Sequence, residues 1–401
     1  MHNSMKVKIN NLQGNVRLLL SGELKTDDCI KTGKEIDAGL ASVGKICSLV
    51  VDASELNYIS SSGLRILLGL AKRFKDFRIV DTAPDIYRIL EVTGFTKIMH
   101  VERAMRQMSV EGCEEIGRGG VGVVYRIDDD TIIKVFREGA SIDELNTEVT
   151  MAKEAFVLGM PTAISFDVVR VGSQFGLVYE LLRAETLSKL LRREPHRMDE
   201  LARKYAALFH QLHSIEVPKN SIIQSAKAQM ENAVRHIGRY FNDASIDLLL
   251  QMVSCIPDAN RLLHCDLQSK NAMMQGDELM LIDMGEVGFG HPVIDLGNSY
   301  SSMVSLLGDY ETIIGLPQEL SSEFWMRMIG YYFEGEPADL VAHRLEQIKA
   351  VSAIRCFSWL ALSDSFPDDM VRMCQDAFAE RVLNKKDHLL EVCATLSDWT
   401  L

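Results

Sequence analysis

The sequence predicts an α/β domain followed by an α+β domain with a helix-rich end. Three observations carry this. Strand-like and helix-like patterns alternate through the first hundred residues. From about residue 112 the pattern becomes strand–turn–strand–turn–strand. After about residue 185 it is helical apart from 262–295. A chain of 401 residues has room for two or three cores, and 47% apolar with 25% charged residues is an ordinary globular balance.

The first domain is expected over 1–108. "KVKINNLQGNVRLLLSGEL" reads as two strands joined at Gly14-Asn15. "TDDCIKTGKEIDAGLASV" has acidic residues in its first turn and apolar spacing near 3.6, so it reads as a helix. "KICSLVVDAS" reads as a short buried strand ending at Asp52. A turn, Ser60-Ser61-Ser62, leads into the helix "GLRILLGLAKRF", with Ser61 or Ser62 as its cap. "DFRIVDTA" is another strand, and "PDIYRILEVTGF" a helix opened by Pro84 and closed by Gly94. Residues 96–112 read as a connector.

The second domain divides into 112–184 and 185–401. "CEEIGRGGVGVVYRIDDDTIIKVFR" predicts three strands, interrupted by the glycines and by Asp128-Asp129-Asp130. "SIDELNTEVTMAKEAFVLG" reads as a helix opened by a Ser141/Glu144 capping box and closed by Gly159. Two strands follow around Gly172.

Three elements of this domain point to phosphate chemistry. Gly117, Gly119, Gly120 and Gly122 sit between two expected strands, where glycines let backbone amides approach phosphate oxygens. That strand–turn–strand setting disfavours a dinucleotide fold, which needs a strand and then a helix. Lys134 lies on the next strand, and Glu148 on the following helix is its preferred partner, with Glu154 competing. Such a pair holds a lysine against the phosphates of a nucleotide. The third element is "HCDLQSKN" followed by "LMLIDMGE". Asp266, Asn271 five residues on and Asp283 twelve beyond supply a base and two oxygen ligands suited to Mg²⁺.

These motifs resemble the aminoglycoside phosphotransferase and choline kinase branch of the protein-kinase-like fold. The resemblance spans residues 112–300, with Cys265 where that family usually has glycine. It implies a bilobal kinase-like domain, ATP and Mg²⁺ as cofactors, and a hydroxylated acceptor. Asp266 would be the base and Asn271 and Asp283 the metal ligands. Gly117, Gly119, Gly120, Gly122, Lys134, Glu148, Glu180 and Leu182 would bind nucleotide, the last two within a hinge at 179–182. Asp295 in "HPVIDLGN" would anchor the catalytic loop, and "LHSI" at 212–215 matches the helix before it. Glu286, Trp359, Asp364, Asp368 and Asp369 are candidates for the acceptor side.

The first hundred residues resemble the STAS domain of anti-sigma-factor antagonists, through "LSGELKTDD", "VVDASELNYISSSGLRILL" and "PDIYRILEVTGFTKIMHV". That family's regulatory phosphoserine precedes the glycine, which implies Ser62, and Ser60 replaces its usual aspartate. The resemblance also implies a protein partner for this domain.

Together these predict a cytoplasmic, bacterial-type phosphotransferase acting on a small molecule and regulated or localised by its STAS domain. A serine kinase acting on a STAS domain and a nucleotide-binding pseudokinase scaffold are the alternatives. A net charge of −13 argues against nucleic acid or anionic membranes as partners, and "KRFKDFR" and "LRREPHR" read as solvated faces. The eight cysteines have no C-x-x-C spacing and read as reduced thiols, and no apolar run suggests a transmembrane segment.

Overall fold

A computed structural model describes residues 5–118, 122–362 and 366–399, leaving out the side chains of Asp143, Glu144, Trp359 and Leu362. The chain forms two compact units, Met1–Met108 and Ser109–Leu401. Among the described residues, no helix is long and apolar enough to cross a membrane.

The first unit is a five-stranded sheet in chain order. Lys6–Leu12 pairs antiparallel with Asn15–Leu24, and Ser48–Ile59, Phe77–Thr82 and His100–Arg103 continue the sheet in parallel. Helices Cys29–Ala41, Ser61–Arg73 and Pro84–Val92 bury Ile36, Leu40, Leu67 and Leu90 among Leu18, Leu20, Leu49 and Val51.

Three expectations for this unit are corrected. The third strand does not stop at Asp52 but runs on to Ile59. Its pairing with Asn15–Leu24 shifts register twice, which breaks the alternation by which its second half would be recognised. The stretch read as a connector contains the strand His100–Arg103. Finally, Ser60 rather than Ser61 or Ser62 caps the helix: it is extended, and its hydroxyl accepts from the Gly63 amide at 3.2 Å. Ser60 is buried, Ser61 exposed and Ser62 half-buried. A Cβ on Gly63 would lie 2.8 Å from Leu24 and Ile59 side-chain atoms, so close packing requires glycine there.

The second unit begins with five antiparallel strands, ordered across the sheet as Ser165–Val171, Gln174–Glu180, Thr131–Phe136, Gly122–Arg126 and Glu114–Arg118. Helix Ile142–Val157 packs Leu145 and Val149 against Phe136 and Leu177. The expected capping box falls on Glu144, whose side chain lies outside the described residues. Beyond residue 185 helices dominate. Val293–Met303 crosses Ala338–Ser358 so closely that a Cβ on Gly297 would meet Val351 at 2.9 Å. Short strands, Arg261–Leu263, Ala272–Gln275, Glu278–Leu281 and Gly288–Gly290, carry the chain through 261–290 between the helices.

Candidate functional site

Lys134 is near the middle of its strand, opposite Val124 on one neighbour and Leu177 on the other. The helix packed on this sheet brings Glu148 to it, with Lys134 Nζ 3.7 Å from Glu148 Oε1. Nζ also lies 3.4 Å from Asp283 Oδ1 and 5.0 Å over the Phe136 ring. Glu154 is six residues and about 240° further round the helix. It accepts instead from Ser221 Oγ and, at 3.2 Å, from the Ile222 amide. The Tyr179 hydroxyl donates to Glu148 Oε1 at 3.0 Å. Burial, reinforced by the Glu148 carboxylate, pushes that phenol well above its usual range, so it stays a donor.

Of the four glycines, Gly119 and Gly120 lie outside the described residues. Gly117 and Gly122 sit within the paired strands. A Cβ on Gly122 would lie 2.2 Å from the Val135 carbonyl oxygen, so the strand pairing itself demands glycine there. In the segment 179–182, where a hinge is expected, the Glu180 amide donates to Ile164 O at 3.0 Å and the Leu181 amide to Asp130 O at 2.8 Å. The next amide is that of the buried Leu182.

The loop from His264 to Asn271 is held from beneath by Asp295. One carboxylate oxygen accepts from the His264 amide at 3.0 Å, the other from the Cys265 amide at 2.6 Å, and His213 Nε2 lies 3.3 Å away. Asn298, one turn further on, donates to Cys265 O at 2.8 Å. His264 Nδ1 accepts from the Asp266 amide at 3.3 Å, so Nε2 carries the proton and donates to Ile282 O at 3.1 Å. Burial lowers the pKa of His264, which keeps this neutral tautomer. Cys265 has φ 65°, a left-handed conformation that glycine adopts freely and cysteine does not.

Asp266 is partly exposed at the centre of the loop. Asn271 Nδ2 donates to its Oδ2 at 2.8 Å and to its backbone carbonyl at 2.9 Å. Gln268 Nε2 spans both carboxylate oxygens at 3.4 and 3.3 Å. Burial raises the Asp266 pKa to about 7, with Glu286 and Asp283 adding to the rise and Arg355 opposing it. Gln268 Oε1 is buried without a partner among the described residues, at a cost of about 1–3 kcal/mol.

The donor set fits a hard divalent cation. With its Nδ2 committed to Asp266, Asn271 has Oδ1 left for a ligand. Asp283 adds a partly exposed carboxylate, and the Ile282 amide ties the two segments by donating to Asn271 O at 3.0 Å. Mg²⁺ takes few protein oxygens and completes its shell with phosphate and water. Among the described residues, no three His, Cys, Asp or Glu side chains form a closed metal cage.

Of the acceptor-side candidates, Glu286 is ion-paired with Arg355 from the long helix Ala338–Ser358. Asp368 and Asp369 are exposed in the first turn of helix Asp368–Arg381. Asp364 and the Trp359 side chain lie outside the described residues. Sequence reasoning missed the side-chain roles of Tyr179, Gln268 and Arg355. Gln268 stands inside the motif, but spacing does not reveal where an amide points, and Arg355 reaches Glu286 across 69 residues.

Residues 12–108 match the STAS domain model, and residues 113–312 match that of the phosphotransferase enzyme family. No curated protein matches the chain. Among solved structures, it is similar to a choline/ethanolamine kinase family protein from Mesorhizobium loti. That match has 16% identity, covers 70% of this chain and 92% of the other, and gives a TM-score of 0.48. Ethanolamine kinase from Plasmodium vivax gives 13% identity, 81% and 95% coverage and a TM-score of 0.48. An anti-sigma factor antagonist from Mycobacterium paratuberculosis gives 24% identity, 25% and 86% coverage and a TM-score of 0.23. The chain thus joins a STAS domain, over residues 12–108, to a domain of the phosphotransferase enzyme family, over residues 113–312.

Proposed function

We propose that the second domain transfers the γ-phosphoryl group of ATP to a hydroxyl of a small molecule. The observation that carries this is the convergence of Glu148, from the helix, and Asp283 on the strand residue Lys134, together with a loop in which Asp266 and Asn271 are hydrogen-bonded. Lys134, held by Glu148, binds phosphate oxygens. The hinge at Glu180 and Leu182 takes the base. Asn271 and Asp283 would hold Mg²⁺, which would neutralise charge on the phosphates.

Asp266 has Oδ2 occupied by Asn271, while Oδ1 carries only the long contact from Gln268. Oδ1 therefore receives the acceptor's proton. The acceptor oxygen forms a bond to the γ-phosphorus, the bond from that phosphorus to the β–γ bridging oxygen breaks, and ADP leaves. The STAS domain regulates or localises this activity, with Ser62 as its phosphorylation site.

The test is ATP turnover by Asp266→Ala and Asp283→Ala in the presence of Mg²⁺, with folding followed by circular dichroism. Both should lose turnover while remaining folded. Wild-type turnover in either variant sinks the assignment of that residue.

A further inference from the structure

We infer that Gln268 is a positioning residue, holding the Asp266 carboxylate with Oδ1 turned to the acceptor hydroxyl. This rests on the reading of Asp266 as the base. The Gln268 amide spans both carboxylate oxygens through Nε2, at 3.3 and 3.4 Å, while Asn271 fixes Oδ2 alone at 2.8 Å. One donor on one oxygen leaves the carboxylate free to swing about that contact. A second donor across both oxygens limits the swing.

The other end of the same amide argues against a purely structural role. Oε1 is buried with no partner among the described residues, and the amide does not gain by flipping, since its oxygen would then face a carboxylate. A group that leaves a buried acceptor unpaired works against the fold, and such groups concentrate where function demands them. Leucine, with similar volume and no polar atoms, removes both the orphaned oxygen and the grip on Asp266.

The experiment uses the full chain, with ATP and Mg²⁺ as the probe and water standing in for the acceptor. Phosphate release and thermal unfolding are measured for wild type, Gln268→Leu and Gln268→Lys. Gln268→Leu should lower kcat by about ten- to a hundredfold, the scale of a slightly misplaced catalytic group, with KM for ATP unchanged and Tm unchanged or raised. Gln268→Lys restores a donor of similar reach and should recover most of the lost kcat. A fall in kcat accompanied by a matching fall in Tm assigns Gln268 a structural role and overturns the inference. So does wild-type kcat in Gln268→Leu, or failure of Gln268→Lys to recover any activity. If wild type itself releases no phosphate, or Asp266→Ala releases it at the wild-type rate, the reading beneath the inference fails, and the inference with it.

Discussion

Replacing Asp295 with alanine removes the support of the loop from His264 to Asn271. Its carboxylate is fully buried and accepts two backbone amides, those of His264 at 3.0 Å and Cys265 at 2.6 Å. Alanine leaves both amides in the interior without an acceptor. Each unsatisfied donor costs about 1–3 kcal/mol, and bonds to a charged acceptor lie at the upper end, so the pair is worth roughly 3–5 kcal/mol. For a domain of this size about 2 °C is lost per kcal/mol, which gives a fall in Tm of roughly 6–10 °C. Turnover should fall further than stability explains, by about a hundredfold or more, because Asp266 directly follows the two released amides. Asp295→Asn keeps one acceptor oxygen and should land between wild type and alanine in both measurements. Calorimetry and ATP turnover on the three proteins test this. If Asp295→Ala melts within about 2 °C of wild type and keeps its turnover, Asp295 does not anchor the loop.

Three further expectations follow from particular residues. Cys265→Gly relieves a left-handed residue, worth about 1–2 kcal/mol, but loses a buried side chain worth about 1 kcal/mol. Its urea midpoint should therefore stay near wild type, whereas β-branched Cys265→Val should be clearly destabilised. Burial lowers the His291 pKa to about 4, and its Nε2 donates to Trp399 O. Because the folded pKa lies below the unfolded value of about 6.5, this contribution is complete above pH 6.5 and is lost as pH falls towards 4. The loss is roughly 3 kcal/mol, read as the difference between the pH–stability profiles of wild type and His291→Gln; parallel profiles refute it. Ser60→Ala should destabilise the first unit by about 1 kcal/mol in urea titration, and Ser62→Ala by less, since only Ser60 caps the helix. Intact mass after incubation with ATP and Mg²⁺ then reports on Ser62: one phosphate gained by wild type and absent from Ser62→Ala supports modification there, and no gain counts against self-phosphorylation.

Much of the protein was legible where local patterns suffice. Helix Pro84–Val92 was marked by its opening proline and by Gly94 at φ 80°. The strand that carries Lys134 and the strand before it follow from alternation and turn residues. The far half of Ser48–Ile59 was hidden by bulges, and His100–Arg103 is too short to show a period.

The sequence by itself determined the order of the chemical groups: a lysine on a strand, an acid on the next helix, then the Asp, Asn and Asp of the loop. Covalent spacing dictates that order before anything packs. Only the tertiary structure decided between Glu148 and Glu154, because the phase of a helix against a sheet is set by which apolar side chains bury, here Leu145 and Val149. It alone placed Ser60 as the cap, Asp295 beneath the loop and Gln268 against Asp266. Each of those contacts depends on side-chain direction or on chain distant in sequence, and neither is encoded in residue spacing.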